Sequence, residues 1–206
     1  LYGGHRLWHA PEHSPRSYIP DNEPVDLEEV CERSVRVTQT LEPVTHIRKQ
    51  LLISLDPSGS RVTIDHTLTN EGLWAVELAP WALTIVNGGG VTIFPQEPFI
   101  PHGESLLPAR PMVLWSYTDL SDPRWTFWKR FMLLHSDEKM NSPQKVGVAN
   151  KQGWAAYRRE GTLFVKRFPY IEGATYPDYG CNFETFTNGL FVEVETLGPV
   201  ATLQPG

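Results

Sequence analysis

Basic charge is in short supply in this chain. Eighteen Lys and Arg stand against 24 Asp and Glu, leaving a formal charge of -6 and a pI near 5.6. No basic block occurs, which argues against nucleic acid or an anionic membrane as partner. No apolar run approaches the roughly 20 residues that span a bilayer. Cysteine is scarce: Cys31 and Cys181 are far apart and outside any CxxC spacing. Such a pair reads as two reduced, buried thiols rather than a disulfide. There is no P-loop, no GxSxG elbow and no dinucleotide-binding glycine motif, since Gly88-Gly89-Gly90 does not open a helix. No cofactor is expected. Leu1 is not an initiator methionine, no signal peptide is visible, and the chain stops at a turn-like Pro205-Gly206. Both ends are read as cut, and no compartment is assigned.

What the chain does contain is aromatic residues, proline and glycine: seven Trp, seven Tyr, nine Phe, 18 Pro and 16 Gly. Aromatic rings are core material first, but they also stack on the apolar face of sugar rings. The spread of proline restricts helix length. Strand signals dominate instead. Val35–Glu42 and Arg61–Asn70 alternate, Thr45–Leu55 reads as a strand, and Glu77–Val86 is apolar enough to be covered on both faces. Later strands are expected at Val91–Phe94, Trp154–Tyr157, Thr162–Phe168, Phe183–Phe186 and from Phe191 onward. Asp56–Ser60 is a turn joining two antiparallel segments, and Arg158–Gly161 a short hairpin loop. Asp26–Arg33, DLEEVCER, is predicted as a two-turn helix. His102–Arg124 reads as a long ordered loop. With 206 residues the chain fits a single domain spanning 1–206, all-β and antiparallel, built from two packed sheets.

Four segments concentrate chemistry. In Phe191–Leu197, Glu193 and Glu195 are two apart and share one face of an apolar strand, a poor core but a reasonable cleft lining. In Tyr2–Glu12, YGGHRLWHAPE, the residues His5, Arg6, Trp8, His9 and Glu12 crowd within eight positions. The reading is a sugar cleft in which Arg6 binds hydroxyls, Trp8 stacks, and His5 or Glu12 moves protons; the plainer alternative is a polar surface loop. Asn70–Thr84 offers Glu77 and Trp81. In Lys166–Asn188, Asn182 and Glu184 share a face if they lie on a strand. His5, His9 and His13 are spaced four apart, but Pro11 and Pro15 exclude the helix that would align them, so no metal is expected.

Together YGGHRLWHAPE, GLWAVELAPWALT, the DPRW of Asp122–Trp125, GCNFETFTNG and VETLGP resemble the galactose mutarotase-like (aldose 1-epimerase-like) superfamily. The resemblance implies an antiparallel β-supersandwich with a carbohydrate cleft on one concave sheet face, lacking some outer strands if both ends are cut. In mutarotases an L-E-T-Q strand carries the catalytic base and an L-x-P-G turn follows. Glu195 falls on that base and Leu203–Gly206 on the turn, while Arg6 matches a sugar-binding arginine. The histidine that serves as general acid has no counterpart, because its strand here carries Glu77, Pro80 and Trp81. His5, His9 and His66 are the candidates to replace it, His5 foremost.

The expected partner is a sugar or glycan, and a missing edge strand would favour a homodimer. As an aldose epimerase the chain would use Glu195 and His5 as catalytic pair, with Arg6, Trp8, Glu12, Glu77, Trp81, Asn182, Glu184 and Glu193 binding substrate. One rival is a carbohydrate-binding domain without turnover. Another is a glycan-cleaving enzyme using paired carboxylates.

Overall fold

Apolar–polar alternation along most of the chain is realised as strands. In the computed structural model, which describes residues 3–206 and so leaves Tyr2 outside the described residues, these are β1 (Gly4–Ala10), β2 (Asp26–Cys31), β3 (Ser34–Thr38), β4 (Ile47–Leu55), β5 (Val62–Asn70), β6 (Val76–Asn87), β7 (Val91–Pro95) and β8 (Met112–Leu114). They continue as β9 (Trp125–Phe127), β10 (Phe131–His135), β11 (Gln144–Val148), β12 (Trp154–Arg159), β13 (Thr162–Arg167), β14 (Phe183–Thr187), β15 (Phe191–Leu197) and β16 (Ala201–Leu203). The chain is all-β, and its hairpins are antiparallel as expected. It divides into two compact units, and β1 and β6 each run through both.

The larger unit holds Ala82–Pro199 with the start of the chain up to Arg6. One sheet runs β6-β15-β14-β11-β8 and a second runs β13-β12-β7-β10-β9. Their facing sides share a core: Val146, Val148, Phe183, Val192 and Val194 from the first meet Phe94, Met132, Leu134, Ala155 and Tyr157 from the second. Strand alternation therefore turns Lys145, Gly147, Glu184, Glu193 and Glu195 to the opposite, outer face of the first sheet. The glycine run after β6 is a packing requirement, since a Cβ on Gly90 would stand 2.5 Å from the Arg158 carbonyl oxygen. The DPRW segment is a clasp. The Arg124 guanidinium binds Asp122 through Nε and Nη2 at 3.0 and 2.8 Å, and donates to the carbonyl oxygens of Met140 and Ser142.

The smaller unit holds Leu7–Trp81 and Val200–Gly206. Its four-stranded sheet runs β2-β3-β4-β5, and β16 pairs with the first residues of β6. The terminal turn is fastened to Asn70, whose Nδ2 donates to the Leu203 carbonyl at 3.0 Å and whose own carbonyl accepts from Gly206 N at 2.8 Å. Buried inside this unit is a polar cluster. Glu42 accepts from Lys49 and from Thr45 Oγ1, and pairs with His9 Nε2 at 3.2 Å. Burial alone would raise the Glu42 pKa, but the donors His9, Lys49 and Thr45 outweigh it and bring it from the usual 4.5 to about 2.

Four expectations are corrected. Asp26–Cys31 is a strand, not a helix: two helical turns are marginal alone, and the segment instead pairs residue by residue with β3. The surface loop that was the plainer reading of Tyr2–Glu12 gives way to a strand, since Gly4–Ala10 form β1. Within His102–Arg124 a short strand, β8, pairs with β11. Both cysteines are free, but only Cys181 is buried, and Cys31 lies exposed on edge strand β2.

Candidate functional site

The outer face of the larger unit's first sheet gathers an acid–base cluster. The β14–β15 hairpin register sets Glu184 directly opposite Glu195 and Phe186 opposite Glu193. The β11–β14 register places Lys145 beside Phe186 and Gly147 beside Glu184, so Lys145 lies within reach of both carboxylates. Its ammonium donates to Glu184 Oε2 at 2.8 Å and to Glu195 Oε2 at 3.0 Å. All three side chains are buried, with 6% of Lys145, 1% of Glu184 and 0% of Glu195 exposed. The Trp115 ring lies against the ammonium, 4.6 Å from it to the ring centroid.

The segment after β8 is tied over this face. Thr118 Oγ1 donates to the Lys145 carbonyl at 2.5 Å, and Asp119 N donates to Gln144 Oε1 at 3.0 Å. Tyr117 packs edge-on against Phe186 at 6.4 Å between ring centroids. Gly147 is needed here: a Cβ would meet Cys181 Sγ at 2.5 Å and Trp115 at 3.3 Å. Asn182, at the start of the Glu184 strand, clasps backbone, accepting from Asn150 N at 2.6 Å and donating to the Asn150 carbonyl at 3.2 Å.

The electrostatics of the cluster separate the two carboxyls' neighbours. Burial would lower the Lys145 pKa, but Glu195 and Glu184 outweigh it and raise it well above the lysine norm, so the ammonium keeps its proton. An amine held charged in this way does not form an imine. Burial pushes the Glu184 pKa well up; Lys145 opposes this, while Glu195 and Asp178 add to it. Behind the strand, Lys166 donates to the carbonyl oxygens of Ala82 and Val194 at 2.9 and 3.0 Å. Burial lowers its pKa to about 7 against the pull of Glu195. The arrangement thus sets a protonated amine between two carboxyls, one of which favours its neutral form.

The structure brings Glu184 and Glu195 together and puts Glu193 on their face of the hairpin. Lys145, their shared partner, was missed by the sequence reading. The remaining candidates are distributed otherwise. His5 Nδ1 pairs with Thr84 Oγ1 at 2.9 Å. Arg6 follows it on β1 and therefore points to the opposite face of that strand, the side of Trp8. In the smaller unit Trp8 packs edge-on against Trp81 at 5.3 Å and Tyr18 at 5.7 Å, and Tyr18 also donates to Glu12. Glu77 is exposed on β6, paired through its backbone with Thr202. His9 belongs to the Glu42 cluster, with Arg16 Nη1 3.5 Å from its Nδ1. His66 lines a small apolar hollow with Leu68, Leu78 and Pro80. Among the described residues no group of three His, Cys, Asp or Glu side chains stands where it could hold a metal ion.

No protein-family model matches the chain, and no curated protein matches it. Two solved structures do resemble it. A galactose mutarotase-like protein from Lactobacillus casei ATCC 334 aligns with a TM-score of 0.54 at 13% identity, covering 88% of this chain and 69% of that one. An aldose 1-epimerase candidate from Escherichia coli K12 aligns with a TM-score of 0.52 at 12% identity, covering 95% and 70%. At such identity the likeness establishes the fold alone, the galactose mutarotase-like β-sandwich that the sequence motifs anticipated.

Proposed function

We propose that this chain is a carbohydrate-active protein that moves protons at the anomeric centre of a sugar, with Glu195 as base. The observation that carries the proposal is the Lys145 ammonium held 2.8 and 3.0 Å from two buried carboxyl groups on one sheet face. Mutarotation requires removal of the proton from the anomeric hydroxyl and delivery of a proton to the ring oxygen, so that the ring C–O bond breaks and C1 becomes a carbonyl. Rotation about the C1–C2 bond and the reverse steps then close the other anomer. In this reading Glu195 takes the hydroxyl proton. Glu184, whose burial favours its neutral form, supplies the ring-oxygen proton, the part that the sequence assigned to His5. Lys145 holds the two carboxyls in register and balances the charge that moves between them. The fold shared with a galactose mutarotase-like protein supports the choice of a sugar as substrate.

The near-complete burial of both carboxyls favours a second reading, carbohydrate binding without turnover. Exchange spectroscopy of aldose anomers separates the two, run with wild type and Glu195→Gln over a panel of aldoses. Faster exchange in wild type that is lost in the variant supports the proton-transfer reading. Saturable binding without faster exchange supports the binding reading. Neither binding nor exchange with any sugar overturns both.

A further inference from the structure

The second sheet of the larger unit carries a groove that the Glu195 cluster does not use. Its volume is about 520 Å³, within the range of small-ligand sites. The rings of Phe99, Phe131 and Trp154 line it, the last two packed edge-on with centroids 5.9 Å apart. Lys129 and Arg130, exposed on the turn between β9 and β10, line it too, with the Lys129 ammonium 3.7 Å from the Phe99 ring centroid. Glu97 lines it together with Gln96, Pro98 and Gln152. Its Oε1 is shielded from solvent with no hydrogen-bond partner among the described residues, although the charge of Arg110 reaches the carboxylate. A buried acceptor left unmatched is expensive unless something donates to it. The groove thus offers three chemistries at once: flat apolar faces, an acceptor awaiting a donor, and two cations at its rim.

We propose that this groove binds an acidic sugar, a pyranose ring bearing a carboxylate, as a unit of a uronate-containing oligosaccharide. The C–H face of the ring stacks on the Phe131–Trp154 pair. A ring hydroxyl donates to Glu97 Oε1, and the sugar carboxylate meets Lys129 and Arg130 in charge-assisted hydrogen bonds. A neutral sugar satisfies the first two features and leaves the cations unused. A nucleic acid carries a phosphate at every nucleotide, where the groove offers only the Lys129 and Arg130 cations at its rim. The site is independent of the Glu195 reading and stands or falls separately.

The test is titration calorimetry of the full chain with trigalacturonate, with its fully methyl-esterified counterpart, and with inorganic phosphate. Lys129→Ala/Arg130→Ala removes two exposed side chains without opening the core, and Glu97→Gln and Glu195→Gln complete the set. Trigalacturonate is expected to bind at least tenfold more tightly than the ester. The double substitution weakens it tenfold or more, Glu97→Gln weakens it severalfold, and Glu195→Gln leaves it unchanged. The inference is overturned if trigalacturonate shows no saturable binding at millimolar concentration, or if ester or phosphate binds equally well. Loss of binding in Glu195→Gln with retention in the double variant overturns it as well, since that places the ligand at the other site.

Discussion

Replacing Lys145 by Met probes the cluster at its centre. The ammonium lies 2.8 Å from Glu184 Oε2 and 3.0 Å from Glu195 Oε2. At an effective dielectric near 20, the contact with the Glu195 carboxylate is worth about 6 kcal/mol of gross attraction. Taking the ammonium and that carboxylate out of water opposes this by several kcal/mol each, so the intact cluster contributes little net stability. Its truncated form is another matter. Met keeps the stem's volume but leaves two carboxyls facing each other in a buried site, and breaking such a pairing destabilises by about 3–5 kcal/mol. The loss depends on pH. Without the ammonium Glu184 holds a proton more tightly still. An acid whose folded-state affinity is raised keeps its stability below the unfolded pKa, about 4.3, and loses it as pH rises. Urea unfolding of Lys145→Met followed by tryptophan fluorescence should therefore show the full loss at pH 8 and a clearly smaller one at pH 4.5. A loss under about 1 kcal/mol at pH 8, or one that is the same at both pH values, would mean that Lys145 does not hold the buried carboxyls together.

The Glu42 cluster predicts the opposite pH dependence. Because donors hold the Glu42 pKa near 2 rather than 4.5, its stabilisation is present above pH 4.5 and is lost as pH falls toward 2. That shift corresponds to about 3 kcal/mol, so Glu42→Gln should flatten the acid limb of a stability-versus-pH curve, and an unchanged limb would discount the cluster. Gly147→Ala sets a methyl 2.5 Å from Cys181 Sγ. It should lower stability by about 1–3 kcal/mol and disturb the Glu184 strand beside it, measured as a lower thermal midpoint; an unshifted midpoint would mean the strand yields freely.

The strands were legible where a half-buried face alternates with an exposed one, as in Val62–Asn70, or where both are covered, as in β6. Asp26–Cys31 was misread because every residue of β2 is exposed, so no alternation marks it and its acidic, helix-compatible composition dominates. β1 was hidden by its polar density and by the glycines at its start. Glu184 and Glu195 each stood out in sequence, but Glu195 was paired there with Glu193, and only the hairpin register sets it opposite Glu184. Lys145 could not be found there, because it lies 50 residues before Glu195 and meets it only through the β11–β14 pairing. The DPRW segment entered as one of the motifs of the resemblance, and in the structure it forms the buried Asp122–Arg124 clasp.

The role proposed for Glu195, a base acting on a sugar, is tested by the rate of anomeric exchange for a sugar shown to bind. With binding matched between wild type and Glu195→Gln, fast exchange is expected in the first and the uncatalysed rate in the second. Equal exchange rates in the two proteins would contradict it.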